Sequence, residues 1–348
     1  MIWNPLAEVI RKRVKPPLAI VLGSPHEVTE LLGLLQVEDA TCYQMDLYQA
    51  NRLREELAQE HLNAKVVTLA DLWDLPADFQ TALFPTSQAS ERALKIDMAE
   101  QAFHILRPHG LFLVLSPYDK DQLFPALLKK IYGHVHATVN EATAFWCHRD
   151  GERPRRRHEV TFHARIGAGP ALRFLSRPGV FSYGRLDDGA RALLETIDVG
   201  AGERILDMGC GCGANGIFAA RQTGSGGSVT LVDSNVRAAA LADHNARVNA
   251  IETFQTIASS DMRELPAGAF DVVLANPPYY AQGSIARFFV EKAKELLRPA
   301  GRVYLVTKQA DEVGPLMAEH FGRADVVERR GYNVLAAQAP ERGGSTDD

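Results

Sequence analysis

The chain carries one unit twice. Leu106-Arg107-Pro108-His109-Gly110 leads into the apolar run Leu111 to Leu115, and Leu297-Arg298-Pro299-Ala300-Gly301 leads into Arg302 to Val306. Each follows a helix-like segment, Ile96 to Ile105 in one half and Ala286 to Leu296 in the other. Counting back equally from the two Leu-Arg-Pro turns sets Pro85-Thr86-Ser87 against Asn276-Pro277-Pro278. The strand-like Thr81-Ala82-Leu83-Phe84 then faces Val272-Val273-Leu274-Ala275. Self-similarity on this scale points to duplication. A chain of 348 residues has room for the two domains this requires.

The second copy holds features the first lacks. Arg204-Ile205-Leu206-Asp207-Met208 reads as a short strand running into Gly209-Cys210-Gly211-Cys212-Gly213-Ala214-Asn215-Gly216, with a helical stretch after it. Glycines at alternate positions let a ligand approach the backbone and expose amides at a helix start. The spacing differs from the dinucleotide fingerprint. A carboxylate at Asp207 would repel pyrophosphate and suit a ligand bearing an ammonium group. Ser228 to Val232 reads as the next strand and ends in Asp233, placed to accept from ribose hydroxyls. Asp261 falls near the end of the strand after that, close to where an adenine edge would lie. In the first copy, Leu18 to Pro25 stands at the place of the loop with a single glycine, and Pro85 stands at the place of Asn276.

Asn276-Pro277-Pro278-Tyr279 follows the buried-strand pattern Phe270 to Ala275. Two prolines end the pairing and stiffen the corner. An amide oxygen and a backbone carbonyl there can both accept from one –NH2 group. Such a site would hold a planar amine while its lone pair is aimed at an electrophile.

Together these residues resemble the class I S-adenosylmethionine-dependent methyltransferases, over roughly residues 172–338. The resemblance implies S-adenosylmethionine as cofactor. It puts Asp207, Gly209, Gly211 and Gly213 around the methionine moiety, Asp233 on the ribose and Asp261 near the adenine. It makes Asn276, Pro277, Pro278 and Tyr279 the catalytic corner, with Tyr279 offering a stacking face for a flipped base. The block Pro178 to Gly189 is similar to the segment preceding the catalytic domain in the RsmC/RlmG-type ribosomal RNA guanine-N2 methyltransferases. Those enzymes also carry a degenerate N-terminal copy of the fold. By that resemblance Phe181, Ser182 and Asp187 close over the cofactor and the target base. Tyr279 departs from the Phe usual in the bacterial family.

The expected fold is therefore α/β, with two tandem Rossmann-like methyltransferase domains of which the N-terminal one is degenerate. Residues 1–150 form the degenerate domain, which positions substrate. Residues 151–170 are a basic linker and edge strand, 171–340 the catalytic domain and 341–348 a disordered tail. Each sheet should be mostly parallel, with an antiparallel strand near its C-terminal edge.

At 46% hydrophobic and 23% charged the composition is ordinary for a soluble protein. No apolar run reaches the ~20 residues of a membrane helix, and the N-terminus lacks a signal-peptide pattern. A cytoplasmic protein without a membrane partner is expected, and a monomer by default. Cys42, Cys147, Cys210 and Cys212 read as small buried residues, with neither a metal site nor a bridge. The net charge of −5 does not favour nucleic acid, so an RNA contact must come from local patches. One is Arg153, Arg155, Arg156 and Arg157, next to Arg149. Another is Arg11, Lys12, Arg13 and Lys15.

Three functions compete on these residues. The first is guanine-N2 methylation of ribosomal RNA, free or in a ribosomal subunit. The second is methylation of another planar nitrogen, a protein glutamine or adenine N6; Tyr279 favours it and the N-terminal copy opposes it. The third is a non-catalytic RNA-binding assembly factor, opposed by the intact Asp207, glycine loop, Asp233 and Asn276.

Overall fold

The computed structural model describes residues 3–88, 90–140, 142–277 and 284–341. The chain divides into two compact units, Met1–His158 and Glu159–Asp348. The tail expected at 341–348 lies outside the described residues apart from Glu341.

The first unit contains α1 (Ala7–Arg13), β1 (Leu18–Val21), α2 (Pro25–Leu35), β2 (Ala40–Gln44), α3 (Leu47–Gln59) and β3 (Lys65–Thr68). It continues with β4 (Phe79–Pro85), α4 (Arg92–Ile105), β5 (Leu106–Ser116), α5 (Phe124–Tyr132), β6 (His136–Val139) and β7 (Thr143–His148). Its sheet runs β3-β2-β1-β4-β5-β7-β6.

The second unit opens with a separate antiparallel pair, β8 (Val160–Ala164) and β9 (Leu172–Ser176). Next come α6 (Asp188–Leu194), β10 (Arg204–Met208), α7 (Ala214–Thr223), β11 (Ser228–Asp233), α8 (Val236–Val248) and β12 (Phe254–Ala258). The remainder is β13 (Phe270–Ala275), α9 (Ser284–Leu296), β14 (Leu297–Thr307), α10 (Ala310–Phe321), β15 (Asp325–Arg329) and β16 (Tyr332–Gln338). Its sheet runs β12-β11-β10-β13-β14-β16-β15.

Both sheets have the same strand order, parallel up to the fifth strand and antiparallel in the last two pairings. The agreement extends to single residues. Phe79 pairs with Leu106 and Thr81 with Leu111, as Phe270 pairs with Leu297 and Val272 with Arg302. Each register shifts between those two pairs. Leu-Arg-Pro is thus not a free turn: it opens a long strand and a bulge absorbs the extra residues. The bulge places a non-glycine residue at positive φ in both copies, His109 at 61° and Ala300 at 59°.

Register also shows what the first copy has lost. Ile20 pairs with Cys42 and Leu83 where Asp207 pairs with Leu231 and Leu274. Gln44 follows Tyr43 as Asp233 follows Val232, and Pro85 occupies the place of Asn276. Where the second unit has its glycine loop, the first starts α2 with Pro25. Ser24 caps that helix in a reciprocal box with Glu27. Gln44 donates its amide to the Gly23 carbonyl at 3.0 Å.

In the second unit, strand alternation sends Ile205, Val229, Leu231, Val272 and Leu274 to a core with α6, α7 and α8. Leu206, Met208, Val232, Val273 and Ala275 go to a core with α9 and α10. Asp207 shares the parity of Ile205, so it faces α7. Asn276 continues the parity of Val272 and Leu274, toward the side of α6.

Candidate active site

The glycine loop is built by close approach of α7 to the sheet. A Cβ on Gly216 would lie 2.3 Å from Leu231 Cδ2 and 3.0 Å from both Asp207 Cβ and Val229 Cγ2. Only a glycine lets the helix sit there. Gly211 is a glycine for another reason: its φ is +56°, and a Cβ would meet nothing within 4 Å. The backbone is open on that side, as a ligand cradle requires. Gly209 and Gly213 share the positive φ, at 67° and 87°.

Asp207 is fully buried, and its Oδ2 accepts the Gly216 N–H at 2.7 Å. It ties the end of β10 to the first turn of α7. Its Oδ1 and the Oδ1 of nearby Asn215 are buried acceptors without a hydrogen-bond partner among the described residues. Burial, aided by the Asp233 charge, pushes the Asp207 carboxyl up to about 7 against the opposing Gly216 hydrogen bond.

Asp233 sits at the end of β11 and holds the loop from the other side. Its Oδ2 accepts the Gly211 N–H and its Oδ1 the Asn235 N–H, both at 2.8 Å. Carboxylate oxygens have further lone pairs for ribose hydroxyls. Asp261 lies three residues beyond the end of β12, with its carboxylate 3.1 Å from the Arg263 guanidinium. An adenine edge there would meet an ion pair.

The segment before α6 is anchored by residues that sequence reading passed over. Asn235 donates to the Gly179 carbonyl at 2.8 Å and Arg237, fully buried, to that of Pro178 at 2.6 Å. Asn245 exchanges hydrogen bonds with Leu175 and donates to the Cys212 carbonyl at 2.9 Å; Asn249 exchanges with Arg173. One face of α8 thus clamps β9, the 178–179 turn and the glycine loop. Buried asparagines one helical turn apart are the available signal, since an unpartnered buried amide is costly. Within the segment Phe181 is 50% exposed, and Ser182 takes a φ of 59° and donates to the Arg185 carbonyl.

Asn276 directly follows β13. Ala275 pairs with Met208, so Asn276 and Gly209 leave adjacent strands at the same level. Pro277 is buried; Pro278 and Tyr279 lie outside the described residues. Asp187, expected to close over the cofactor and the target base, is the N-cap of α6. It accepts the Ala190 N–H at 3.0 Å and the Asn276 Nδ2–H at 3.3 Å.

The arginine stretch belongs to the first unit and is partly committed to it. Arg153 donates to the Lys130 and Ile131 carbonyls, and Arg155 to that of Trp73 while stacking on its ring. Arg157 lies 3.7 Å from Asp71, and His158 is 2.9 Å from Glu100. Among the described residues Arg156 makes no hydrogen bond. The strap is extended and exposed throughout 151–157. All four cysteines are free and buried. Among the described residues no cluster could hold a metal ion, and no helix is long and apolar enough to cross a membrane.

Residues 171–336 match the family model of the methyltransferase small domain. Curated relatives of that domain include the "Ribosomal RNA small subunit methyltransferase C" of Chromohalobacter salexigens, 32% identical over 178 residues. That alignment takes in 48% of this chain and 51% of the relative. The protein of the same name from Hahella chejuensis is 34% identical over 161 residues, 45% of this chain and 46% of the relative. The chain thus spans about half the length of the curated relatives it matches. The fold reaches further. The structure of the T. thermophilus 16S rRNA N2 G1207 methyltransferase (RsmC) with AdoMet and guanosine superimposes with a TM-score of 0.77. It covers 97% of this chain and 92% of that one at 23% identity, so the small domain here follows a degenerate copy of its own fold.

Proposed function

We propose that the chain transfers a methyl group from S-adenosylmethionine to the N2 amine of guanine in small-subunit ribosomal RNA. One observation carries the reading: Asn276 and Gly209 emerge side by side from β13 and β10, so an amine acceptor stands at the lip of the glycine cradle. The residues fit the cofactor. Gly211 leaves its backbone open, Asp233 offers ribose acceptors, and buried unpaired oxygens on Asp207 and Asn215 make the floor electronegative. That floor suits an ammonium and sulfonium ligand and rejects pyrophosphate.

S-adenosylmethionine supplies, when bound, a methyl group on a sulfonium leaving group. The chain supplies position. Asn276 Oδ1 and the Pro277 carbonyl accept the two N–H groups of the amine, draw its lone pair out of conjugation and aim it. Because alkylation lowers the nitrogen's pKa steeply, the proton passes to solvent without a strong base. Catalysis is orientation and electrostatics. Phe181, half exposed in the segment before α6, offers a face for the base. Arg153, Arg155, Arg156 and Arg157 form the RNA contact. The relatives named for small-subunit ribosomal RNA support this substrate, and a cytoplasmic reaction is consistent with it.

The test is a radiolabelled methyl-transfer assay on naked rRNA, free subunits and a release factor from a host lacking the gene. Label in N2-methylguanosine of the small subunit is expected. Label in protein or another nucleoside overturns the substrate, and no label overturns the activity.

A further inference from the structure

We infer that Asp187 is a positioning residue for Asn276: its carboxylate fixes which end of the Asn276 amide faces the substrate amine. This rests on the transfer reaction proposed above.

An asparagine amide has two nearly isosteric ends, an acceptor oxygen and a donor NH2. Flipped, Asn276 would present N–H groups to the N–H groups of the amine and block the approach of its lone pair. Something must select the orientation. Strand alternation turns Asn276 toward α6, and the N-cap of α6 is Asp187. Asp187 Oδ2 lies 3.3 Å from Asn276 Nδ2. An ionised carboxylate only accepts, so the flipped amide would set oxygen against oxygen. The charge thus holds Nδ2 inward and turns Oδ1 the other way. Asp187 is itself held, because the same Oδ2 accepts the Ala190 N–H at 3.0 Å. The segment leading to it is pinned through Gly179 and Pro178 to Asn235 and Arg237. Cap, charge and amide form one relay whose far end is the acceptor.

Asp187→Ser separates the two jobs. Serine caps a helix about as well as aspartate but is too short and uncharged to hold Nδ2. The expected result is a kcat lowered on the order of 10- to 100-fold, with thermal midpoint, KM for RNA and cofactor dissociation constant within about twofold of wild type. Asp187→Asn, which can present either atom, should fall between. A wild-type kcat in Asp187→Ser overturns the inference. A matching rise in cofactor dissociation constant also overturns it, returning Asp187 to a cofactor contact. A second readout needs no turnover. In 15N-labelled protein the Asn276 side-chain amide, assigned by its loss in Asn276→Ala, should exchange with solvent faster in Asp187→Ser. Should wild type transfer no methyl group to RNA, the proposed function fails while this exchange measurement still decides the contact; an unchanged rate would refute it.

Discussion

Asp233 and Gly211 are joined by a hydrogen bond of 2.8 Å from the glycine N–H to the carboxylate. The acid proposed to hold the ribose is therefore also a strut of the glycine loop. Replacing it removes a ligand contact and releases the cradle together. Asp233→Ala should raise the cofactor dissociation constant by about 100-fold or more, since charge-assisted hydrogen bonds are worth ~1.5–3 kcal/mol each. Isothermal titration decides. An unchanged constant would refute the ribose assignment.

Asn276→Ala should leave cofactor affinity nearly intact and lower kcat by at least about 100-fold, as expected when a group acting only in the transition state is removed. Equal loss of both would make Asn276 part of the cofactor site.

Gly216→Ala should destabilise the second unit by about 1–3 kcal/mol through overpacking. The added carbon would strike side chains on two strands, and Leu231 is fully buried. Gly211→Ala meets no such obstacle and loses only the comfort of positive φ. Chemical denaturation should rank Gly216→Ala as the less stable of the pair.

The Asp207 carboxyl stands near 7 in the folded chain against an ordinary 3.8. A raised folded value means the native state holds the proton more tightly. The associated stability is present below about pH 4 and is lost as pH rises toward 7, by up to ~1.4 kcal/mol per pH unit. Asp207→Asn should abolish that slope in the apo protein. Denaturation midpoints at pH 5 and 7.5 that fall in parallel for both proteins would contradict the assignment.

Arg156→Glu should reduce RNA affinity and flatten its salt dependence without disturbing the first unit. Reversing Arg155 and Arg157 as well breaks contacts to Trp73 and Asp71 and should lower stability too. An unchanged salt slope in the single variant would return the strap to a structural role.

Much of this was legible in sequence. The glycine spacing and the acid at the end of β11 announced the cradle, because both are local consequences of a strand running into a helix. The duplication announced the fold, down to the residue facing Asn276. Partnerships across long separations were not legible. Asp187 meets Asn276, and Asn235 and Arg237 meet Gly179 and Pro178, only because parallel strands bring distant loops to one end of a sheet. The full burial of Asp207 was not legible for a related reason. Its place before the loop shows only that it ends a strand; that its Oδ2 accepts from the first turn of α7 follows from strand alternation. The arginine run looked like a solvated linker, whereas carbonyls of the first unit take up several of its donors.

The identical registers of β1 and β10 amount to a comparison that nature has already made. At equivalent positions of the two sheets, one copy holds Ile20 and the other Asp207. Folding alone favours the isoleucine. The first copy holds what a core prefers; the second holds a buried acid that packing alone does not explain. The second unit should accordingly be the one whose melting temperature responds to the cofactor, and the first the one indifferent to it.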